Sequence, residues 1–112
     1  MIEAYHFGCI LIDGEEYTSD VIIYPDKIDS TWWRRDGHKL CVEDLKDVLR
    51  EKPDVLVVGM GKPGLMKVLP ETETYLKSEG IQLIAKPTED ACKIYNKFSK
   101  GKKVIAALHL TC

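Results

Sequence analysis

Three glycines and a lysine follow one strongly apolar stretch of the chain, at a spacing that could bind phosphate. The run Gly59-Met60-Gly61-Lys62-Pro63-Gly64 matches G-x-G-x-x-G directly after the apolar residues 55–58. Backbone N–H groups of such a loop can hold an anion, and Lys62 would add a positive charge. A dinucleotide site is disfavoured, because Pro70 interrupts the following helix and the next strand ends in Lys86-Pro87 rather than an acid. Two interpretations remain: a small-anion site, or glycines that a tight turn requires.

A cysteine and a histidine lie close together before the first predicted helix. His38 could activate the thiol of Cys41 as a nucleophile if the two side chains converged, and a helix N-terminus at Cys41 would favour the thiolate. The other interpretation is a solvated His38 and a cysteine that serves as a poor N-cap. His109, in the last apolar stretch, is typical of a hydrogen-bonded histidine near a sheet end. We assign no catalytic residue and no metal ligand.

The segment Trp32-Trp33-Arg34-Arg35 carries the two residue types that dominate binding hot spots. If residues 28–34 form a strand, adjacent side chains point to opposite faces, so Trp32 and Arg34 share one face. We expect one tryptophan to enter the core and the other to be exposed as a surface anchor. The alternative is that the protein's own layers cover both.

The composition is that of a globular chain and excludes several classes of function. Of the 112 residues, 45% are hydrophobic, as an ordinary core requires. A net charge of -2 argues against a protein whose surface binds nucleic acids or anionic membranes in general. Neither a secretory signal nor an apolar run of about 20 residues is visible, so we expect a cytoplasmic protein without membrane insertion. The four cysteines lack zinc-site spacing and are expected to be reduced, mostly buried thiols: Cys9, Cys41, Cys92 and Cys112.

Turn signals and apolar periodicity divide the chain into strands and helices. Residues 5–12 and 17–24 predict a hairpin that turns at Asp13-Gly14. The later elements are a helix over about 42–51, the buried strand that starts at Asp54, a short helical turn at 65–69, a helix from Pro70 to near Gly80, a buried strand over 81–85, a helix capped by Thr88, and a strand over 104–110. Strand–helix–strand–helix–strand implies parallel neighbours. No linker or repeat is visible, so residues 1–112 are predicted to form one α/β domain.

Four segments together resemble the Mth-domain family. They are STWWRRDGHKL at 30–40, VVGMG at 57–61, the predicted helix at 88–96, and VIAALHLTC at 104–112. The resemblance covers essentially the whole chain. It implies a compact three-layer α/β domain, with an N-terminal β-hairpin or meander followed by a helix and a βαβαβ unit in a mixed sheet.

The same resemblance implies little about activity. Members are small domains of unknown function from archaea, bacteria and eukaryotes, among them a mitochondrial assembly factor for respiratory complex I and a protein associated with adipocyte differentiation. The family supplies no catalytic motif that could be carried over. Relatives are expected to have serine where this chain has Cys41, which argues against a family-wide cysteine nucleophile.

The leading hypothesis is a non-enzymatic binding or assembly module that acts through a protein partner and uses no cofactor. The alternative is a small-ligand (anion) binding protein or enzyme, with its site between the loop at 59–64 and the loop that carries His38. The candidate ligand or partner surface comprises Trp32, Trp33, Arg34, His38, Gly59, Gly61 and Lys62. The identity of the partner and the oligomeric state do not follow from the sequence.

Overall fold

Ten strands and three α-helices follow one another in the computed structural model, which describes residues 1–112. In chain order they are β1 (Ile2–His6), β2 (Cys9–Ile12), β3 (Glu15–Tyr17), β4 (Val21–Ile23), β5 (Ile28–Asp29), β6 (Lys39–Leu40), a 3-10 turn (Val42–Leu45), α1 (Lys46–Glu51), β7 (Val55–Met60), β8 (Lys67–Val68), α2 (Pro70–Ser78), β9 (Gln82–Lys86), α3 (Thr88–Phe98) and β10 (Val104–His109).

A five-stranded mixed sheet forms the centre of the molecule, in the order β5-β4-β10-β7-β9. The strands β10, β7 and β9 run parallel, with Ala106 opposite Val57 and Val57 opposite Ile84. β4 joins the other side of β10 in the antiparallel sense. The predicted parallel βαβαβ arrangement and the mixed sheet are therefore confirmed.

Both faces of this sheet are covered, which explains why β7 is apolar throughout and β10 is apolar from Val104 to Leu108. Val55 and Val57 point into a core shared with α3, whereas Leu56 and Val58 point into a second core beneath the 3-10 turn, α1 and α2. The small sheet β1-β2-β3 packs on the α3 side. None of the three α-helices has the length and apolar composition that a membrane span requires.

The N-terminal strands are shorter than the sequence predicts. The turn at Asp13-Gly14 is confirmed, with φ of 49° and 83°. The predicted strand over 5–12 is wrong, because it contains a second tight turn: Gly8 has φ of 79° and donates its N–H to the Leu110 carbonyl at 2.8 Å. The predicted strand over 17–24 is also divided, since the chain leaves the small sheet after Tyr17 and enters the central sheet at Val21.

Four further predictions need correction. Residues 28–34 keep strand geometry only over Ile28–Asp29, and beyond it the chain forms a loop. The expected helical turn at 65–69 is instead β8, which pairs in parallel with β6. β9 is a half-buried edge strand rather than a buried one. Thr88 is the first residue of α3 and not its cap, because its hydroxyl is used in the contact between Gly61 and His109.

Replacing Leu56 by alanine tests the second core. The side chain is fully buried in the middle of β7, so Leu56→Ala is expected to lower the free energy of unfolding by about 2–5 kcal/mol in denaturant titrations. The matched control is Leu65→Ala at an exposed position, expected to change stability by no more than about 0.5 kcal/mol. Equal losses for both variants would contradict the placement of this core.

Candidate functional site

The parallel strands β7 and β10 end at the same side of the central sheet, and we call residues 60–65 and 109–112 the carboxyl edge. Ligands of open α/β sheets bind outside such strand ends. The turn at Phe7-Gly8 reaches this edge through the Gly8–Leu110 hydrogen bond. The loop formed by residues 30–38 reaches it through Arg34, whose guanidinium lies 2.9 Å from His109 Nδ1.

A buried polar cluster of Asp20, Arg34 and His109 holds these segments together. Asp20 Oδ1 accepts the N–H of Leu110 at 2.8 Å. Asp20 Oδ2 accepts a hydrogen bond from Arg34 Nη1 at 2.8 Å and lies 2.8 Å from His109 Nδ1. One carboxylate therefore bridges the start of β4, the end of β10 and the loop at 30–38.

The surroundings of Asp20 keep it ionised. Burial alone raises the pKa of this carboxyl, but the hydrogen bonds from His109, the Leu110 amide and Arg34 outweigh burial and lower the pKa to about 2. A guanidinium can only donate hydrogen bonds. His109 Nδ1 can therefore either accept a hydrogen bond from Arg34 or donate one to Asp20, but not both. We assign the Nδ1 proton to the bond with Asp20, because an ionised carboxylate is the stronger acceptor.

Two of the three side chains in the cluster are nearly closed to solvent, while that of Asp20 is 19% exposed. The side chains of Arg34 and His109 are only 5% and 9% exposed. Arg34 Nε and His109 Nε2 are buried without a hydrogen-bond partner and present less than 1 Å² each to solvent. These two atoms are not open to a reacting molecule, and the cluster fastens the loop at 30–38 to the end of β10.

The two tryptophans have opposite environments, as predicted from the sequence. Trp32 is 9% exposed, donates its indole N–H to the Asp44 carbonyl at 2.9 Å, and lies beneath the Arg34 guanidinium, 4.7 Å from the ring centre. Trp33 is 75% exposed. The alternative, in which both side chains are covered, is wrong.

The Cys41–His38 pair does not form. The Cys41 thiol donates to Asp44 Oδ2 at 3.2 Å, and the same carboxylate accepts the Cys41 N–H. Burial first, and then the hydrogen bond to Asp44, raise the pKa of the Cys41 thiol, so the expected stabilisation of its thiolate is wrong. His38 is exposed, and only its backbone is hydrogen-bonded: its N–H donates to Asp36 Oδ1, and its carbonyl accepts the N–H of Lys67.

The backbone N–H groups of the glycine loop donate hydrogen bonds to acceptors within the chain. The N–H groups of Gly61, Lys62 and Gly64 donate to the Thr88 hydroxyl, the Thr111 carbonyl and the Gly61 carbonyl. A Cβ at Gly59 would lie 2.8 Å from Thr88 Oγ1, and one at Gly61 only 2.5 Å from the Thr111 carbonyl oxygen. These glycines are thus required by close packing, and no amide of the three remains to hold an anion.

Other candidate chemistry is sparse. No three side chains of His, Cys, Asp or Glu converge as a metal ion would require. All four cysteines are free thiols, but only Cys92 is fully buried, where burial raises the pKa of its thiol to about 12. The largest surface cavity, about 740 Å³, is bounded by Tyr17, Tyr24 and Tyr95 near the opposite ends of the strands, whereas a second, of about 540 Å³, reaches the carboxyl edge at Met60.

Sequence reasoning missed Asp20 and treated His109 as an ordinary sheet histidine. A local signal was present, since an acid directly precedes the apolar run of β4 and a histidine ends that of β10. Their pairing could not be inferred, because the two residues are 89 positions apart and meet only when β4 lies beside β10.

Comparisons with known proteins identify relatives over the full chain. A family model described as "Protein of unknown function (DUF498/DUF598)" matches residues 2–109. A conserved hypothetical protein, PH1505 from Pyrococcus horikoshii, is 35% identical, with a TM-score of 0.86 over 100% of this chain and 99% of that one. The solved structure of MT938 is 27% identical, with a TM-score of 0.79 over 100% and 98% of the two chains.

A more distant structure shares the fold. A Bordetella pertussis protein described as a Mth938-like domain is 19% identical, with a TM-score of 0.71 over 98% of this chain and 85% of that one. The descriptions of these three proteins name no reaction, ligand or partner.

The ionised Asp20 predicts a defined loss of stability in acid. Its folded pKa, about 2, is below the ordinary 3.8, so the carboxylate contributes on the order of 2 kcal/mol above pH 4. That contribution is lost as the pH falls from about 4 to about 2. In urea titrations, we expect the difference in the free energy of unfolding between the wild type and Asp20→Asn to decrease over this pH range. A difference that did not change with pH would contradict the ionised state assigned to Asp20.

Adding a methyl group at Gly61 tests the packing role of the loop. Its φ of +91° and the close Thr111 carbonyl predict that Gly61→Ala lowers the free energy of unfolding by about 1–3 kcal/mol. Gly101→Ala is the control, because a Cβ there meets open space. If phosphate protected the wild type but not Gly61→Ala against unfolding, the anion-site interpretation would be restored.

Proposed function

The chain belongs to the DUF498/DUF598 family of unknown function, as its resemblance to the Mth-domain family predicts, and we propose that it is a non-enzymatic protein-binding module. The partner surface is the carboxyl edge with the loop at 30–38. The observation that carries this proposal is Trp33, a large aromatic side chain that is 75% exposed between two immobilised neighbours.

The backbone on both sides of Trp33 is fixed before any partner arrives. Trp32 is buried and bonded to the Asp44 carbonyl, and Arg34 is bonded to Asp20. The N–H of Arg35 donates to Asp44 Oδ1 at 3.1 Å. Binding through Trp33 therefore orders two side-chain torsions and little backbone, which keeps the entropic cost of association low.

The other exposed residues of the proposed surface have the composition of an interface. Phe7 and Leu65 are also exposed, and both lie at the carboxyl edge: Phe7 in the turn bonded to Leu110, and Leu65 in the loop after β7. Exposed Arg35 and Lys62 add positive charge to the loop at 30–38 and to the carboxyl edge, although Arg35 also lies 3.8 Å from Glu43. Aromatic and aliphatic anchors within a polar rim are typical of protein recognition surfaces.

A protein partner explains this edge better than a small ligand does. Small molecules bind in concave pockets with convergent polar groups, whereas the exposed feature here is a projecting indole. The loop amides that could hold an anion already have acceptors, and the Arg34 and His109 side chains are buried. Of the candidate surface, Trp33, His38 and Lys62 are exposed for contact, while Trp32, Arg34, Gly59 and Gly61 support it from below.

Truncating Trp33 is the direct test. The protein is captured gently from its own cells and its complexes are weighed by native mass spectrometry. Trp33→Ala is expected to lose the stoichiometric protein partner, since removing a central aromatic anchor commonly costs about 2 kcal/mol or more, roughly a thirtyfold loss of affinity. Thermal unfolding should match the wild type, because the indole is exposed.

Tyr75→Ala provides the matched control. Tyr75 is an exposed aromatic on α2, away from the carboxyl edge, and its removal should leave the complex intact. A partner that remains bound to Trp33→Ala, or a small-molecule adduct without any protein partner, would overturn the proposal.

A further inference from the structure

The strand β9 forms one open edge of the central sheet. It pairs only with β7. The Gln82 N–H donates to the Asp54 carbonyl at 3.0 Å, and because bonding residues alternate along a strand, Ile84 and Lys86 also bond to β7. In a parallel strand the N–H and C=O of one residue point to the same side, and consecutive residues alternate. The amide groups of Leu83 and Ala85 therefore point away from the sheet.

A groove runs along this edge between β9, β8 and α2. Two adjoining cavities of about 540 and 490 Å³ form it, and both are bounded by Glu73 and Leu83. Its apolar floor consists of partly buried side chains that belong to the second core: Met60, Val68, Leu83 and Ala85. The groove thus offers backbone hydrogen-bonding groups beside an apolar surface.

The charges of the groove identify the kind of occupant. Three lysines border it, Lys67, Lys77 and Lys86, against one acid, Glu73. All four are exposed, and none takes part in an ion pair. A second copy of the chain, added edge to edge, would bring the same lysines against each other. An acidic segment would instead complement them.

We propose that the β9 edge binds an extended acidic peptide segment as a sixth strand of the central sheet. Leu83 and Ala85 each supply one donor and one acceptor to the added strand, the main-chain pattern of β-strand addition. On the face of that strand that meets the groove, apolar side chains contact the floor and acidic ones lie within reach of the lysines at its border. The groove adjoins the carboxyl edge at Met60, but Trp33 does not line it.

The test uses the terminally blocked peptide Glu-Thr-Val-Thr-Val-Thr-Glu, which carries its valines and glutamates on one face, and its counterpart with lysine in place of both glutamates. In nitrogen-15 NMR titrations of the whole chain, the acidic peptide is expected to shift the Leu83 and Ala85 amides and slow their hydrogen exchange. The lysine peptide should not do so. Equal binding of both peptides, or no protection at Leu83 and Ala85, would overturn the proposal.

Three variants separate charge from backbone pairing. The double variant Lys67→Glu/Lys86→Glu should weaken binding of the acidic peptide roughly tenfold or more. Lys93→Glu/Lys97→Glu, with the same charge change on α3, should bind as the wild type does. Ala85→Pro removes an outward N–H without breaking a bond to β7, and should abolish the amide protection.

Two other results would also count against the peptide. A homodimer that protects Leu83 and Ala85 without added peptide would assign the edge to a second copy of the chain. Unchanged binding by Lys67→Glu/Lys86→Glu would remove the acidic specificity. Trp33→Ala is expected to bind the peptide normally, so failure of this proposal and failure of the Trp33 interface are distinguishable.

Discussion

The carboxylate of Asp20 is the interaction on which the exposed edge of this protein depends. It binds a backbone amide, an imidazole and a guanidinium that belong to two distant parts of the chain. In a site mostly withdrawn from water such charge-assisted bonds are strong, and loss of the acceptor would leave Arg34 buried without its counter-ion. The segment that carries both tryptophans is thus fastened to the end of β10 by electrostatics, in addition to the packing of Trp32 in the second core.

The neighbouring glycine loop illustrates a different use of polar groups. The Thr88 hydroxyl accepts the Gly61 N–H and donates to the His109 carbonyl at 2.5 Å, so one side chain joins the ends of β7, β10 and α3. A sequence that matches a phosphate-binding pattern here satisfies its own donors, and the edge becomes rigid and chemically closed. Rigidity without a free polar pocket suits recognition of another surface more than catalysis.

The sequence predicts those parts of the fold in which local pattern and tertiary environment agree. The buried strand from Asp54, the helix between Pro70 and Gly80, and the turn at Asp13-Gly14 were recognisable because apolar runs, a helix-starting proline and positive-φ residues act locally. The breaks in the N-terminal strands were not, since they follow from bonds to residues such as Leu110 at the far end of the chain.

The candidate surface likewise has parts that the sequence could predict and parts that depend on tertiary structure. Residue type alone indicated that one tryptophan would be exposed, but the choice of Trp33 depends on where Arg34 and Trp32 find partners. The ionised cluster around Asp20 arises from pairings that no spacing rule can foresee. The open edge of β9 likewise follows from strand order, which periodicity does not specify.

The position of β10 has a consequence for how the molecule is made. It is the last element in the chain and the middle strand of the sheet, so before it emerges the sheet consists of two separate pieces, β5-β4 and β7-β9. Asp20 lacks two of its hydrogen-bond donors, the His109 imidazole and the Leu110 amide, until those residues are present. On the ribosome, the nascent chain therefore carries apolar strands without a completed core, and it folds only after synthesis has passed this strand.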